Sequence, residues 1–255
     1  MTHLVLQQRN AGFFSDFNLI VVCLKYFYDN KIEDFNIYWT NELYQTTQEN
    51  MFDSFFFKNK RIHKFSDQFD VVHNAGDLGG TLFKQFNEHS VFVDTHNVLA
   101  HYNYFQNFIF LKCKQNAASK KNSLGVHIRR TDHHQHYPLL DLNYYISYIK
   151  NKLAENVHAN VFIATDEIFV IDCLQKEFGD KVFFNTEINR STNQTAIHSG
   201  TNGFQDKHKL ALDVLTDAIS LSMCDEILVT SSNVSAYSLM VNPHIKYTFI
   251  DKPKN

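Results

Sequence analysis

The sequence contains few of the residues that bend or cross-link a chain. Its 255 residues include 3 prolines, 8 glycines and 4 cysteines. The cysteines, Cys23, Cys113, Cys173 and Cys224, are scattered without a CxxC pair, so we expect reduced core thiols in a cytoplasmic protein. Hydrophobic residues make up 44% and charged residues 20%, which excludes a disordered chain and a fibrous repeat.

The sequence also lacks membrane and nucleic-acid signals. No apolar run approaches the roughly 18 residues of a membrane span, and the run at residues 19–24 is too short. A basic segment followed by a long apolar one is absent from the N-terminus, so no signal peptide is predicted. Lys and Arg number 24 against 27 Asp and Glu, a net charge of −3. This near balance lacks the basic field of a nucleic-acid-binding protein, so we expect no nucleic-acid partner.

Alternating strand and helix patterns dominate the second half of the chain, as in the βαβ units of an open parallel sheet. We predict two α/β domains, 1–120 and 121–255. Strands are predicted over 3–6, 36–39, 124–128, 159–164, 181–184 and 226–229. Helices are predicted over 13–28, 96–114, 142–153, 168–178, 207–222 and 234–241, with a loop at 73–80 and a polar linker at 115–123.

Polar residues follow three of the predicted strands directly. They form the runs Arg129–Asp132, Thr165–Glu167 and Thr230–Asn233. Ligands bind outside the carboxyl ends of the strands in open α/β sheets. The sequence therefore predicts a binding site built from these three runs.

Arg129 and Arg130 suit a phosphate or diphosphate group, because each guanidinium offers a planar fork of donors and a delocalised charge. The alternative is a structural ion pair with Asp132 or Asp166. Both interpretations stay open from the sequence.

Ser231, Ser232 and Asn233 lie at the start of a predicted helix, where free N–H groups and hydroxyls favour phosphate. Simple N-capping of that helix is the alternative role of the serines.

Asp213 and Asp217 lie four residues apart, on one face of the predicted helix 207–222. A carboxylate there has the chemistry to accept hydrogen bonds from guanine N1–H and the 2-amino group, and a solvated surface charge is the alternative. Neighbouring histidines at His133, His134 and His136 match no standard metal spacing, so we expect no metal and favour a general base or an acceptor contact.

Several common site motifs are absent. The sequence has no GxGxxG, no GxxxxGK[ST] and no GxSxG, which argues against the usual dinucleotide, P-loop and hydrolase sites. It also has no Asp-x-Asp, which argues weakly against a metal-dependent nucleotide-sugar enzyme of the single-domain kind.

The run Gly125–Asp132 (GVHIRRTD) closely resembles the first motif of the α1,6-fucosyltransferases, within the GDP-fucose-dependent fucosyltransferases. VFIATDE at 161–167 and DAISLSMCDEILVTSS at 217–232 resemble the second and third motifs, in the same order. The resemblance covers about residues 124–243. It implies a GT-B-like α/β fold, with two Rossmann-type half-domains whose parallel sheets face a central cleft. Domain 1–120 would then lie on the acceptor side, and 121–255 would bind the nucleotide sugar.

The resemblance also implies roles for individual residues. Arg129 would hold the donor diphosphate, and His127 and Asp217 would contact guanosine. The remaining donor-site candidates are Arg130, Asp166, Asp213, Ser231, Ser232 and Asn233, and Asp132 would support the arginines. The glutamate that the core N-glycan enzyme uses as a base has no counterpart here, which leaves His133, His134, His136 and Asp132 as candidates.

The sequence thus predicts an inverting, metal-independent transferase that moves L-fucose from GDP-fucose to a glycan acceptor, without a cofactor. One alternative is a GT-B transferase for another GDP- or UDP-sugar. A second is an inactive, glycan-binding relative. Peripheral association with a membrane that carries a lipid-linked acceptor is also left open.

Overall fold

The computed structural model describes residues 2–6, 11–45, 50–56, 71–74, 89–102, 113, 122–132, 139–155, 160–198 and 204–250. These residues form two compact units, Met1–Phe110 and Leu111–Asn255. The functional division into domains 1–120 and 121–255 stays a prediction.

The N-terminal unit contains a three-stranded parallel sheet in the order β2-β1-β3. Its elements are β1 (Thr2–Leu6), α1 (Phe13–Asp29), β2 (Phe35–Trp39), α2 (Met51–Phe55), β3 (Val71–Asn74) and α3 (His89–His101). β1 is the central strand, and Leu4 pairs with Ile37 on one side and His73 on the other.

A buried carboxylate braces the first turn of α1. Asp16 accepts hydrogen bonds from the indole Nε1 of Trp39, at 3.1 Å, and from the Nδ2 of Asn41, at 2.8 Å. The rings of Phe13 and Phe17 pack around the same indole, with centroids 5.1 and 6.3 Å from it. The aromatic residues that are abundant in the sequence therefore form much of this core.

The C-terminal unit contains a five-stranded parallel sheet in the order β6-β5-β4-β7-β8. Its elements are β4 (Ser123–Ile128), α4 (Leu142–Glu155), β5 (Asn160–Thr165), α5 (Ile168–Phe178), β6 (Val182–Phe183), α6 (Lys207–Ser222), β7 (Glu226–Val229), α7 (Asn233–Val241) and β8 (Lys246–Phe249). All six residues of β4 are buried, as expected for a central parallel strand covered on both faces.

The order of this sheet reverses between β4 and β7. From β4 the chain builds β5 and β6 on one side, then crosses to build β7 and β8 on the other. Such a reversal opens a crevice at the carboxyl ends of the two strands, the usual ligand site of open α/β sheets.

Gly125 in β4 permits close packing of the end of α6. A Cβ added at this position would lie 2.9 Å from Cγ2 of Ile227, 3.0 Å from Sγ of Cys224 and 3.1 Å from Cδ2 of Leu221. Only glycine fits beneath these three side chains, which accounts physically for the residue that opens the GVHIRRTD run.

The structure confirms an α/β fold with parallel sheets and corrects several predicted elements. The helix predicted from residue 96 begins at His89, and the loop predicted over 73–80 begins inside β3. β8 was not predicted. Most of the predicted linker at 115–123 lies outside the described residues, and its last residue, Ser123, belongs to β4.

All four cysteines are free, as predicted, and Cys23, Cys113 and Cys224 are buried. Among the described helices, none combines the length and the apolar character needed to cross a membrane.

Candidate functional site

Arg129 directly follows β4 and is paired with two carboxylates. Its Nη1 lies 3.0 Å from Oδ2 of Asp166, and its Nη2 bonds Oδ1 of Asp132. The structural ion pair that the sequence left open is therefore present. About a quarter of the arginine side chain (26%) stays exposed.

Asp166 ties the end of β5 to the turn after β4. Its buried carboxylate accepts from the backbone N–H of Arg130 at 3.0 Å and from the Thr131 hydroxyl at 2.5 Å, in addition to Arg129. The strand register explains this arrangement, because Ile128 pairs with Thr165 and the two strands end side by side. One carboxylate thus bonds three successive residues of the arginine turn, Arg129, Arg130 and Thr131.

Arg130 pairs with the next acidic residue, through a 3.0 Å contact between its Nε and Oε2 of Glu167. The pKa of Glu167 lies above its ordinary value, because burial and the neighbouring Asp166 raise it more than the Arg130 charge lowers it. The second acidic residue of the VFIATDE run thus anchors the second arginine.

Asp132 lies in the field of both Arg129 and His198. Burial favours its protonated form, but the Arg129 charge, the Thr131 hydroxyl and His198 together hold the pKa of Asp132 below its ordinary value. Burial lowers the pKa of His198, partly opposed by Asp132, so this imidazole is predominantly neutral at pH 7. The sequence offered no signal for His198.

His127 connects β4 to the first turn of α7, across the point where the sheet order reverses. Its Nδ1 lies 2.8 Å from Oγ of Ser235 and 3.4 Å from Oγ of Ser232. Ser232 is the N-cap of α7 and accepts from the N–H of Ser235 at 3.3 Å. The capping role left open for this serine is therefore observed, while Ser231 and Asn233 are half-buried beside it.

Asp213 and Asp217 are both buried in the C-terminal unit, so the alternative of a solvated surface charge is wrong. Asp213 bonds Nζ of Lys209 at 2.7 Å and accepts from the N–H of Asn189 at 3.0 Å. Asp217 accepts from Nδ2 of Asn185 at 2.8 Å. Burial raises the pKa of Asp217 to about 7, although nearby cationic and amide groups oppose the shift.

The segment after β6 supplies site residues that the sequence did not indicate. Ser191 donates from its N–H to the carbonyl oxygen of Asp166 at 2.8 Å and accepts from the N–H of Ile168 at 3.1 Å. Asn185 and Arg190 precede it and reach Asp217. Since this segment has no strand or helix periodicity, only the folded structure brings it to the strand ends.

Three of the four base candidates, His133, His134 and His136, lie outside the described residues. Within the part of the chain that the structure describes, no group of three or more His, Cys, Asp or Glu side chains is placed to hold a metal ion.

Known structures share this fold. The crystal structure of NodZ α-1,6-fucosyltransferase soaked with GDP-fucose has a TM-score of 0.57 and 14% identity, covering 94% of this chain and 92% of that chain. The structure of the same enzyme co-crystallised with GDP has a TM-score of 0.55 and 14% identity, covering 94% of this chain and 92% of that chain. The structure of fucosyltransferase NodZ from Bradyrhizobium has a TM-score of 0.55 and 13% identity, covering 94% of this chain and 93% of that chain.

The chain has the fold of NodZ. The GT-B-like fold class expected from the three sequence motifs is thereby confirmed, while a cleft between the half-domains stays a prediction. No family model matches the sequence, and no curated protein does either. At 14% identity or less, the likeness concerns the fold, and activity must be argued from the site.

Proposed function

We propose that this chain is a glycosyltransferase that transfers L-fucose from GDP-fucose to a glycan acceptor. The observation that carries the proposal is the pair Arg129 and Arg130, placed directly after the central strand where the sheet order reverses. The fold shared with a fucosyltransferase soaked with GDP-fucose supports the choice of donor.

The diphosphate of the donor would lie between Arg129 and the first turn of α7. The guanidinium of Arg129 would donate to phosphate oxygens from one side. From the other side would come the hydroxyl of Ser231 and the backbone N–H groups of the first turn of α7, where the helix dipole also favours an anion. Asp166 would keep the arginine in place and would itself make no contact with the sugar.

Transfer would be a single displacement with inversion at the anomeric carbon of fucose. An acceptor hydroxyl oxygen forms the new bond to this carbon while the bond to the diphosphate oxygen breaks, and the electron pair leaves with GDP. The acceptor proton passes to a base on the protein. Arg129 stabilises the negative charge that develops on the departing diphosphate, so its contribution is largest in the transition state.

A histidine is the better candidate for that base. Asp132 is paired with Arg129 and its lowered pKa makes it a weak proton acceptor. His133, His134 and His136 directly follow it in the sequence, and the mostly neutral His198 interacts electrostatically with it. We propose that one of these imidazoles accepts the proton, and that no metal ion is required because the arginines carry the leaving-group charge.

Thermal denaturation with a panel of nucleotides tests the donor. GDP, GDP-fucose, GDP-mannose, UDP-glucose and UDP-galactose are compared in the presence of EDTA. A ligand at about 100 times its Kd adds roughly 2.7 kcal/mol to the native state, which raises the Tm measurably. We expect shifts with GDP and GDP-fucose that persist with EDTA, and no comparable shift with the UDP-sugars.

Turnover of GDP-fucose then separates a transferase from an inactive relative. Release of GDP from GDP-fucose is measured with a panel of oligosaccharide acceptors for the wild type and for Arg129→Ala. Lys150→Ala is the control, because Lys150 is an exposed residue paired with Glu177. Full GDP-fucose affinity in Arg129→Ala, or a requirement for added metal, would contradict the proposal.

A further inference from the structure

A buried arginine in the segment after β6 has donors that the fold does not use. Nη1 of Arg190 donates to the carbonyl oxygens of Asn185, at 2.9 Å, and Ile188, at 3.2 Å. One face of its guanidinium lies 5.2 Å from the ring centroid of Phe184. Only 3% of the arginine side chain is exposed, so these contacts hold it within the protein.

The other nitrogens of Arg190 are unsatisfied. Nε and Nη2 are buried and have no hydrogen-bond partner among the described residues. Nη2 lies 3.7 Å from Oδ2 of Asp217, which is beyond the reach of a normal hydrogen bond. Buried polar groups are nearly always hydrogen-bonded, and an unpaired buried donor is costly. A bound molecule that satisfies these donors would therefore be strongly favoured.

Asp217 presents the complementary half of the same cluster. Its Oδ1 accepts from Nδ2 of Asn185, whereas no described residue donates a hydrogen bond to Oδ2. Among the described residues, an acceptor without a hydrogen-bond donor thus lies beside buried donors without an acceptor, with Oδ2 of Asp217 3.7 Å from Nη2 of Arg190. A ligand for this cluster needs a donor next to an acceptor on one edge.

The Watson–Crick edge of guanine has this pattern, since N1–H and the 2-amino group donate while O6 accepts. In protein–DNA complexes, arginine is also the commonest specific partner of guanine O6, which it contacts together with N7. Adenine places an amino donor where guanine has O6, so its donor would meet the donors of Arg190. Uracil has a carbonyl where guanine has the 2-amino group, which places an oxygen opposite the carboxylate of Asp217.

The chain also links this cluster to the arginines after β4. Ser191 follows Arg190 directly, and its N–H bonds the carbonyl oxygen of Asp166, whose carboxylate holds Arg129. One short segment thus contacts both places where a nucleoside diphosphate would be held, the base at Arg190 and the diphosphate at Arg129.

We propose that Arg190 is a specificity-determining residue that donates to O6 of the donor's guanine, beside the contact of Asp217 with N1–H and the 2-amino group that the sequence already led us to expect. The inference rests on the proposed function, which supplies a guanine nucleotide. It assigns to Arg190 a contact that none of the sequence motifs contains.

Calorimetric titration with base analogues tests the contact atom by atom. The ligands are GDP, inosine diphosphate, which lacks the 2-amino group, 6-thioguanosine diphosphate, in which sulfur, a weak acceptor, replaces O6 while N1–H and the 2-amino group stay, and ADP. For the wild type we expect the loss of O6 to weaken binding at least tenfold, and ADP to bind weaker still. These wild-type titrations need no substitution and so do not depend on how a variant folds.

Arg190→Lys is the matched variant, because it keeps the charge and removes the guanidinium. We expect it to bind GDP about as weakly as the wild type binds the ligand without O6, with little further loss when O6 is removed. Lys150→Ala, far from this cluster in sequence and exposed, should retain the full penalty.

Equal wild-type affinity for GDP and the ligand without O6 would overturn the inference, since ordered water would then satisfy Arg190. An unchanged O6 penalty in Arg190→Lys would overturn it as well. If no guanine nucleotide binds, the proposed function fails and the inference fails with it. If GDP binds and GDP-fucose is consumed without an O6 penalty, only the inference fails.

Discussion

Nδ1 of His127 lies 2.8 Å from Oγ of Ser235, which joins the end of β4 to the first turn of α7. Both side chains are buried, so the imidazole is oriented by a hydroxyl from the other side of the sheet reversal. A donor held at the start of α7 would therefore be positioned relative to β4 through this hydrogen bond.

Ser235→Ala should weaken both folding and nucleotide binding. It removes the shorter of the two contacts of His127 Nδ1 and leaves that with Oγ of Ser232 at 3.4 Å, so we expect a loss of about 0.5–1.5 kcal/mol. Urea denaturation measures the loss of stability, and calorimetry measures GDP affinity. Ser238→Ala on the same helix is the control, because Ser238 bonds the carbonyl oxygens of Ala218 and Val234. It should lose stability without losing GDP affinity, and equal affinity losses would contradict a specific role for the His127 contact.

Asp166→Asn should destabilise the C-terminal unit. The substitution removes the buried charge that pairs with Arg129 and accepts from the Arg130 N–H and the Thr131 hydroxyl. Breaking one partner of a buried ion pair costs about 3–5 kcal/mol, and the partial exposure of Arg129 places the expected value near the lower end. Urea denaturation is the measurement.

Glu177→Gln is the matched control for that substitution. Glu177 pairs with Lys150, and both side chains are exposed. We expect a change within about 0.5 kcal/mol, as for other surface substitutions. Similar losses in the two variants would show that Asp166 does not fix the arginine turn.

Gly125→Ala should lower stability by steric overlap. The added methyl group meets side chains from the end of α6 and from β7 at 2.9–3.1 Å. Overpacking of this kind costs about 1–3 kcal/mol. Gly12→Ala is the comparison, since an added Cβ there meets no heavy atom within 4 Å. Urea midpoints that shift equally for both variants would contradict the packing role.

Asp217 should make the stability of the protein depend on pH. Its pKa in the folded state is about 7, against an ordinary value of 3.8, so the folded state binds the proton more tightly. Its contribution to the free energy of unfolding is therefore fully present below about pH 4 and is lost as the pH rises through 7. Asp217→Asn removes this contribution, so the stability advantage of the wild type should decrease between pH 4 and 7. Parallel stability curves would contradict the shift.

The affinity for GDP should also depend on the ionisation of Asp217, but it should rise with pH where the stability contribution falls. Guanine donors need an ionised acceptor, so wild-type affinity should rise with pH up to about pH 7 to 8, and fall roughly tenfold per unit below the pKa. Titrations of GDP at several pH values measure this dependence. Asp217→Asn controls for titration of the phosphate, which is common to both proteins, and should show a weaker pH dependence.

The sequence allowed much of the C-terminal sheet to be predicted, because its strands are short apolar runs separated by periodic helices. α6 and β7 have the predicted bounds. β3 and β8 were not predicted, and their pairing with β1 and β7 defines them as strands.

In the site, too, the residues next to regular strands could be predicted and those in irregular segments could not. Arg129 and Asp166 were predicted because polar residues directly after buried strands must lie at the carboxyl edge of the sheet. Arg190 and His198 belong to an irregular segment whose position depends on tertiary hydrogen bonds such as those of Ser191. No local pattern encodes those contacts, so the residues became visible only in the folded chain.

The arginine cluster after β4 has one consequence for how a donor is captured. Two guanidinium groups, of Arg129 and Arg130, are matched by the carboxylates of Asp132, Asp166 and Glu167. With all three ionised, the cluster carries no positive excess, and the chain as a whole is at −3. Electrostatic steering therefore contributes little to the encounter with an anionic donor, and association should depend only weakly on salt. Selectivity then depends on short-range fit once the nucleotide has arrived.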